Sequence, residues 1–119
     1  MSIHGQDETT RSQPHRRVEK ILDKMSISYE SEVEFKPFSV DIYLGEFHAG
    51  LEIDGPQHSA AKDATRDARL LEQYFLPIMH IPSEGLSVED IKKSVITFIE
   101  LIGPTAETRK WQRNHGGLN

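Results

Sequence analysis

The chain reads as an α/β (α+β) domain: a mixed four-stranded sheet flanked by helices, in the order α-β-β-β-α-β-α. Three observations predict it. Three successive runs, Tyr29 to Phe35, Ser39 to Leu44 and His48 to Asp54, alternate apolar and polar residues with the period of a strand. The pattern then turns helical from Ala61 to Phe75, and Pro77 closes it. A short apolar run follows, Ile78-Met79-His80-Ile81, and a strand reached through a helical crossover lies parallel to the one before it.

Each element has a local cause. The first helix, Gln13 to Met25, has Ser12 as its N-cap, Pro14 in its first turn, and Val18, Ile21, Leu22 and Met25 at i, i+3, i+4, i+7. In the first strand Tyr29, Ser31, Val33 and Phe35 alternate with Glu30, Glu32 and Glu34, which makes it half-exposed, and Pro37 breaks it. In the second, Val40, Ile42 and Leu44 alternate with Asp41 and Tyr43. Gly45-Glu46-Phe47 suits a hairpin into the third, where Leu51 and Ile53 alternate with Glu52 and Asp54, and Gly55-Pro56 stops the run. On the second helix Ala64, Ala68, Leu71 and Phe75 fall on one side and Lys62, Arg66, Arg69 and Gln73 on the other. Ser87 caps the last helix with Asp90 three residues on, Val88, Ile91, Val95, Phe98 and Ile102 form its stripe, and Gly103-Pro104 ends it.

The 119 residues suffice for one hydrophobic core and are too few for two. Residues 1–11 are polar and unpatterned and are expected to be disordered, 12–103 form the single domain, and 104–119 form a polar, basic tail carrying Trp111. No apolar run approaches the ~18 residues that span a bilayer, and the N-terminus lacks an apolar leader core, so no membrane partner is expected. The absence of cysteine excludes disulfides and thiolate zinc and fits a reducing compartment, making a cytoplasmic location the expectation. A net charge of −5 argues against nucleic-acid binding by bulk electrostatics, but the basic residues are grouped, at Arg16-Arg17, at Lys62, Arg66 and Arg69, and at Arg109, Lys110 and Arg113.

The chemistry concentrates between Asp41 and His58. Strand side chains at i and i+2 share a face, so Glu52 and Asp54 lie together. If the second and third strands pair with their apolar sets on one core, Asp41 joins them, and three converging carboxylates call for a cation. Oxygen ligands of this kind suit Mg²⁺ or Mn²⁺, which activate water and stabilise charge on a phosphodiester. Asp54 suits a further ligand or the orientation of water. His58, after the turn, suits proton donation, phosphate positioning or metal binding, and the sequence does not choose among them. Any one of these acids alone is ordinarily a solvated strand residue; the three together, followed by Gly55 and His58, read as a site. A solvated face is likewise the ordinary reading of Lys62, Arg66 and Arg69, and His48 and His80 read as ordinary strand residues.

Val40-Asp41, then Glu52-Ile53-Asp54-Gly55-Pro56-Gln57-His58, then Arg66-Asp67 and Leu70-Leu71, resembles the small standalone domains related to very-short-patch repair endonucleases, within the PD-(D/E)XK restriction-endonuclease-like superfamily. The resemblance runs from about Val18 to Pro82. It implies a restriction-endonuclease-like core and Mg²⁺-dependent hydrolysis of a DNA backbone, with Asp41 and Glu52 as metal ligands and Glu19 as an accessory acid. Nicking or structure-selective cleavage in repair, recombination or phage DNA metabolism is the expected setting. Lys62, Arg66, Arg69, Arg109, Lys110 and Arg113 are the candidate DNA contacts. Val40 stands where the superfamily name has proline, and Asp54 stands in place of its lysine, which leaves the positive charge to Gln57, His58, Lys62 or Arg66. The rival reading is a degenerate module that binds nucleic acid or a protein without hydrolysis. A monomer and a homodimer are both compatible with the sequence.

Overall fold

The computed structural model describes residues 11–57 and 59–115. Expectations that fall on 1–10, on His58 and on 116–119 lie outside the described residues. The elements are α1 (Gln13–Lys24), β1 (Glu30–Phe35), β2 (Phe38–Leu44), β3 (Ala49–Asp54), α2 (Ala60–Tyr74), β4 (Ile78–Pro82), α3 (Val88–Ile102), a 3-10 turn (Gly103–Thr105) and α4 (Ala106–His115). The sheet order is β1-β2-β3-β4, with β1-β2 and β2-β3 antiparallel and β4 parallel to β3, as the crossover predicts.

The helix starts follow their capping chemistry. The Ser12 side chain accepts the His15 amide N–H at the start of α1, Ser59 accepts that of Lys62 at the start of α2, and Ser87 and Asp90 form a reciprocal capping box on α3. The α2 helix ends at Phe75 in the left-handed region, φ 57°, with its N–H on the Leu70 and Leu71 carbonyls.

Two apolar clusters hold the sheet between its helices. Val18, Ile21 and Leu22 of α1 and Ile91, Val95, Phe98 and Ile102 of α3 pack on Ile42, Leu44, Leu51 and Ile81. On the other face Leu70 and Leu76, in and beyond α2, pack with Phe35 and Val40.

Three expectations are corrected here. Val40 does not share the core of Ile42 and Leu44 but packs on the α2 side. The β1-β2 ladder skips the Glu32-Asp41 pair, and Glu32 sits at φ 55°, so the strand alternation is broken at that point. The inward face of α2 is not Ala64, Ala68 and Leu71, which are exposed (Leu71 to 49%); it runs through Asp63, Arg66, Asp67, Leu70 and Tyr74. The segment after Gly103 is not a loose tail: Ala106–His115 is helical, and Ala106 and Arg109 are buried against the rest of the domain.

Gly50 marks a close approach between β3 and β4. A Cβ there lies 2.7 Å from Ile78 Cδ1, so only glycine fits without a shift of Ile78.

Candidate active site

The regular ladder between β2 and β3 spans Ile42↔Leu51, Tyr43↔Gly50 and Leu44↔Ala49. Beyond Ile42 the two strands are joined through carboxylates instead of carbonyls. The Asp41 N–H donates to Glu52 Oε2 at 2.8 Å, and the Ile53 N–H donates to Asp41 Oδ2 at 2.8 Å. Two acids are thereby fixed side by side on rigid strands, each by a main-chain donor. One oxygen of each carboxylate is satisfied, and the other takes no hydrogen bond from the described residues.

Glu52 carries the cost of this placement. Burial raises its carboxyl above the ordinary value, the neighbouring Asp41 charge raises it further, and the Asp41 amide and Arg66 only partly counter them. Arg66, from the inward face of α2, places Nη2 at 3.2 Å from Glu52 Oε2 and also donates to the Ser39 carbonyl. Its Nη1 lies 4.0 Å from Asp67 Oδ1. The guanidinium also stands over the Phe38 ring, 5.9 Å from its centroid.

A second group lies one strand over. The parallel register sets Glu52 beside His80 and Asp54 beside Pro82. His80 Nδ1 is 3.0 Å from both Asp54 oxygens, His80 Nε2 is 2.5 Å from Asp67 Oδ2, and Asp63 Oδ2 is 3.9 Å from Nδ1. Burial alone lowers the imidazole pKa, but hydrogen bonds to Asp54 and Asp67 and their charges outweigh it, so His80 is held above its ordinary value. The imidazolium thus acts as the cation among three carboxylates. One ligand atom each from Asp54, Asp63 and His80 falls within a sphere of mutual distances no greater than 4.8 Å, a spacing that fits a metal ion. Asp67 Oδ1 is buried and receives no hydrogen bond, a feature that a nearby cation would satisfy.

The expected convergence of Asp41, Glu52 and Asp54 is therefore replaced by two linked groups, Asp41-Glu52 and Asp54-Asp63-Asp67-His80, with Arg66 reaching both. His80 is not an ordinary strand residue. Its signal lay in the parallel register, which sets it beside Glu52, and that of Asp63 and Asp67 in sharing a helical phase with Leu70.

Other sequence candidates go elsewhere. Glu19 is 7% exposed and its Oε2 takes Arg11 Nε at 2.8 Å, the Ser31 hydroxyl, and His15 Nε2 at 3.4 Å, so its described contacts are with α1, β1 and Arg11. Arg109, grouped by sequence with the DNA contacts, is 8% exposed. It donates to the main-chain carbonyls of Phe47 (3.0 Å), His48 and Ile102 (2.7 Å) and to Thr105 Oγ1 (3.2 Å), so it fastens α4 to the β2-β3 turn. Lys110 pairs with Glu107 at 3.0 Å, and Arg113 covers the Phe35 and Tyr74 rings. Lys62 and Arg69 are exposed and line a cleft with Phe38, Ala61, Thr65 and Arg66. His48 is not in the strand: it closes the turn at φ 50°, with Nδ1 2.8 Å from the Tyr43 hydroxyl and Nε2 2.8 Å from the Tyr74 carbonyl. The carbonyl needs a donor, so Nε2 bears the proton and Nδ1 accepts from Tyr43; burial holds the ring neutral by lowering its pKa.

No family model and no curated protein matches the chain. The fold is similar to the catalytic domain of the homing endonuclease I-Bth0305I, with a TM-score of 0.62 and 23% sequence identity over 76% of this chain and 97% of that one. At that identity the likeness is one of fold, and it places this four-stranded mixed sheet with flanking helices among nuclease-like architectures. Among the described residues no helix is long and apolar enough to cross a membrane.

Proposed function

We propose that the protein is a metal-dependent endodeoxyribonuclease, a small relative of the PD-(D/E)XK domains akin to very-short-patch repair endonucleases, taking Mg²⁺ with Mn²⁺ as a substitute. The observation that carries this reading is the replacement of the β2-β3 ladder by the Asp41 and Glu52 carboxylates, fixed beside a second acidic group that ends on His80.

The donor set fits a hard divalent cation. Asp41 and Glu52 would hold one ion through the oxygens that main-chain donors leave unused. Asp54, Asp63 and His80 would hold a second, with the imidazole giving that position more tolerance for Mn²⁺ than for Mg²⁺. When bound, such ions lower the pKa of water and stabilise charge on a phosphodiester in the transition state.

The protein's own groups supply the rest. Arg66, held at 3.2 Å from Glu52, is a positive charge at the site where Asp54 stands in place of the superfamily lysine. A guanidinium so placed can pass from Glu52 to a phosphate oxygen as a bidentate donor. Lys62 and Arg69, exposed on the same helix, bind the flanking backbone. His58 and Glu19 are auxiliary in this reading, one as a proton donor and the other as an acid that orders α1 against β1.

A non-hydrolytic DNA-binding module is the second reading, favoured by the Asp54-His80 pair, which occupies the lysine position with a neutralised acid. Incubation of supercoiled plasmid, single strands and a branched junction with Mg²⁺, Mn²⁺ or EDTA separates the two. Cleavage that needs metal and is lost in Glu52→Ala and Asp41→Ala supports the nuclease. Binding without cleavage in either metal, unchanged by Asp41→Ala, supports the module.

A further inference from the structure

The acidic groups lie at one end of the sheet. Parallel β3 and β4 finish there, at Asp54 and Pro82, and antiparallel β2 begins there at Phe38. α1 packs on one face of the sheet and α2 on the other. Each helix brings cations to this end. On the α2 face these are Lys62, Arg66 and Arg69, already placed in the nuclease reading.

On the α1 face is a separate cleft of about 420 Å³, lined by Gln13, Pro14, Arg16, Arg17, Lys20 and Ser83. Ser83 ties it to the acidic centre, because its N–H donates to the Asp54 carbonyl at 2.8 Å and it also borders the cleft containing Asp54, Gly55 and Pro56. Arg16 has its Nη1 on the Arg11 carbonyl at 2.8 Å. Arg17 and Lys20 are one turn apart on α1, both exposed, and neither forms an ion pair with a described residue. In a chain of net charge −5, two uncompensated cations beside one cleft are a local reversal of sign.

We infer that the α1 cleft is a second backbone-binding subsite, in which Arg17 and Lys20 hold a phosphate of the nucleic-acid strand on the opposite side of the acidic centre from Lys62 and Arg69. This rests on the nuclease reading and deepens it. The strand runs across the end of the sheet, from the α1 face to the α2 face, and the bond to be cut lies between the two cationic walls. A substrate held this way extends in both directions from the cleaved bond, which makes the protein an internal cutter and not a trimmer of ends.

The test is equilibrium binding, in EDTA, of a labelled duplex and a labelled single strand, with inorganic phosphate as a competitor. Wild type is compared with the Arg17→Ala, Lys20→Ala double variant and with a Lys92→Ala, Lys93→Ala variant on α3 that carries the same change of charge. The expected result is at least a tenfold loss of affinity relative to the α3 variant, and a salt dependence shallower by about 1.8, at about 0.9 per lost phosphate contact on duplex DNA. Affinity and salt slope equal to those of the α3 variant overturn the subsite. So does a double variant that loses competition by inorganic phosphate while binding nucleic acid normally, since the cleft then serves a small anion. Wild-type protein that binds no nucleic acid at low salt overturns both readings. Metal-dependent cleavage is scored separately on the same proteins. If wild type binds through Arg17 and Lys20 but never cleaves, the hydrolytic reading falls and the subsite stands; if it cleaves while the double variant binds normally, the reverse holds.

Discussion

Replacing Arg109 by methionine tests whether this residue is a structural clamp. The side chain is 8% exposed, and its guanidinium supplies donors to three main-chain carbonyls and to Thr105 Oγ1. Methionine keeps much of the apolar stem and removes every donor. The Ile102 carbonyl keeps a bond from the Thr105 hydroxyl at 3.3 Å, whereas Phe47 and His48 lose the guanidinium at a turn that is itself buried or half-buried. A buried carbonyl left without its donor costs about 1–3 kcal/mol. Release of the desolvated guanidinium, whose pKa burial lowers, returns part of that. The net expectation is a loss of about 3 kcal/mol, a large share of the ~5–15 kcal/mol that holds a domain together. Urea unfolding followed by circular dichroism and by Trp111 fluorescence reads it as a lower midpoint at unchanged slope. Lys110→Met, which removes only the exposed pair with Glu107, is the control and should shift stability by less than about 0.5 kcal/mol. An Arg109→Met protein within about 1 kcal/mol of wild type would refute the clamp and return Arg109 to the pool of candidate phosphate contacts.

Further predictions follow from the same geometry. Glu52→Gln should abolish metal-dependent cleavage while flattening the decline in metal-free stability as pH rises above about 4.5: the native state holds the Glu52 proton more tightly than the unfolded chain, and a neutral amide has no proton to lose. Thermal melts across pH 4–8 check it, and an undiminished decline counts against the buried Asp41-Glu52 repulsion. His48 has the opposite sign. Its folded pKa is depressed, so below about pH 6.5 the unfolded chain binds more protons and stability falls as pH falls; His48→Asn should weaken that slope in the same melts. Gly50→Ala should cost about 1 kcal/mol, near the low end for overpacking because the obstructing atom is the mobile Cδ1 of Ile78. Denaturant titration reads that directly, and a neutral result means Ile78 repacks freely.

Much of the fold was legible because local and global signals agree. Ser12, Pro14, Ser87 and Asp90 mark helix starts by capping chemistry that needs no tertiary context, and each occupies the role its sequence position suggested. The period-two runs became strands, and Pro77 followed by a short apolar run became a parallel strand because a helical crossover leaves no other simple pairing. Arg109 was not legible. Nothing within Arg109-Lys110-Trp111 separates a buried clamp from an exposed basic patch, since the three carbonyls it serves lie at Phe47, His48 and Ile102. The strand identity of Asp41 and Glu52 could be read, but not that each would accept the other strand's amide, because the ladder stops only where the two chains meet.

The reading of α2 went wrong for a more informative reason. Amphipathic patterning assumes that the face turned inward is the apolar one. Ala64, Ala68 and Leu71 make the more regular stripe, yet they face solvent, while Asp63, Arg66 and Asp67 point inward in phase with Leu70 and Tyr74. Only the last part of the helix, at Leu70, packs on an apolar cluster. Its first half faces the polar side chains Glu52, Asp54 and His80, where leucines in place of Asp63 and Asp67 would leave the imidazolium with fewer counter-charges. A helix that turns ionisable groups toward a sheet while exposing a leucine gives up apolar burial. Such a sacrifice is expected where the buried charges have a task that packing cannot perform. The misplaced phase of α2 is therefore a second line of argument, independent of motif resemblance, that the end of the sheet around Glu52 and His80 is the working part of the molecule.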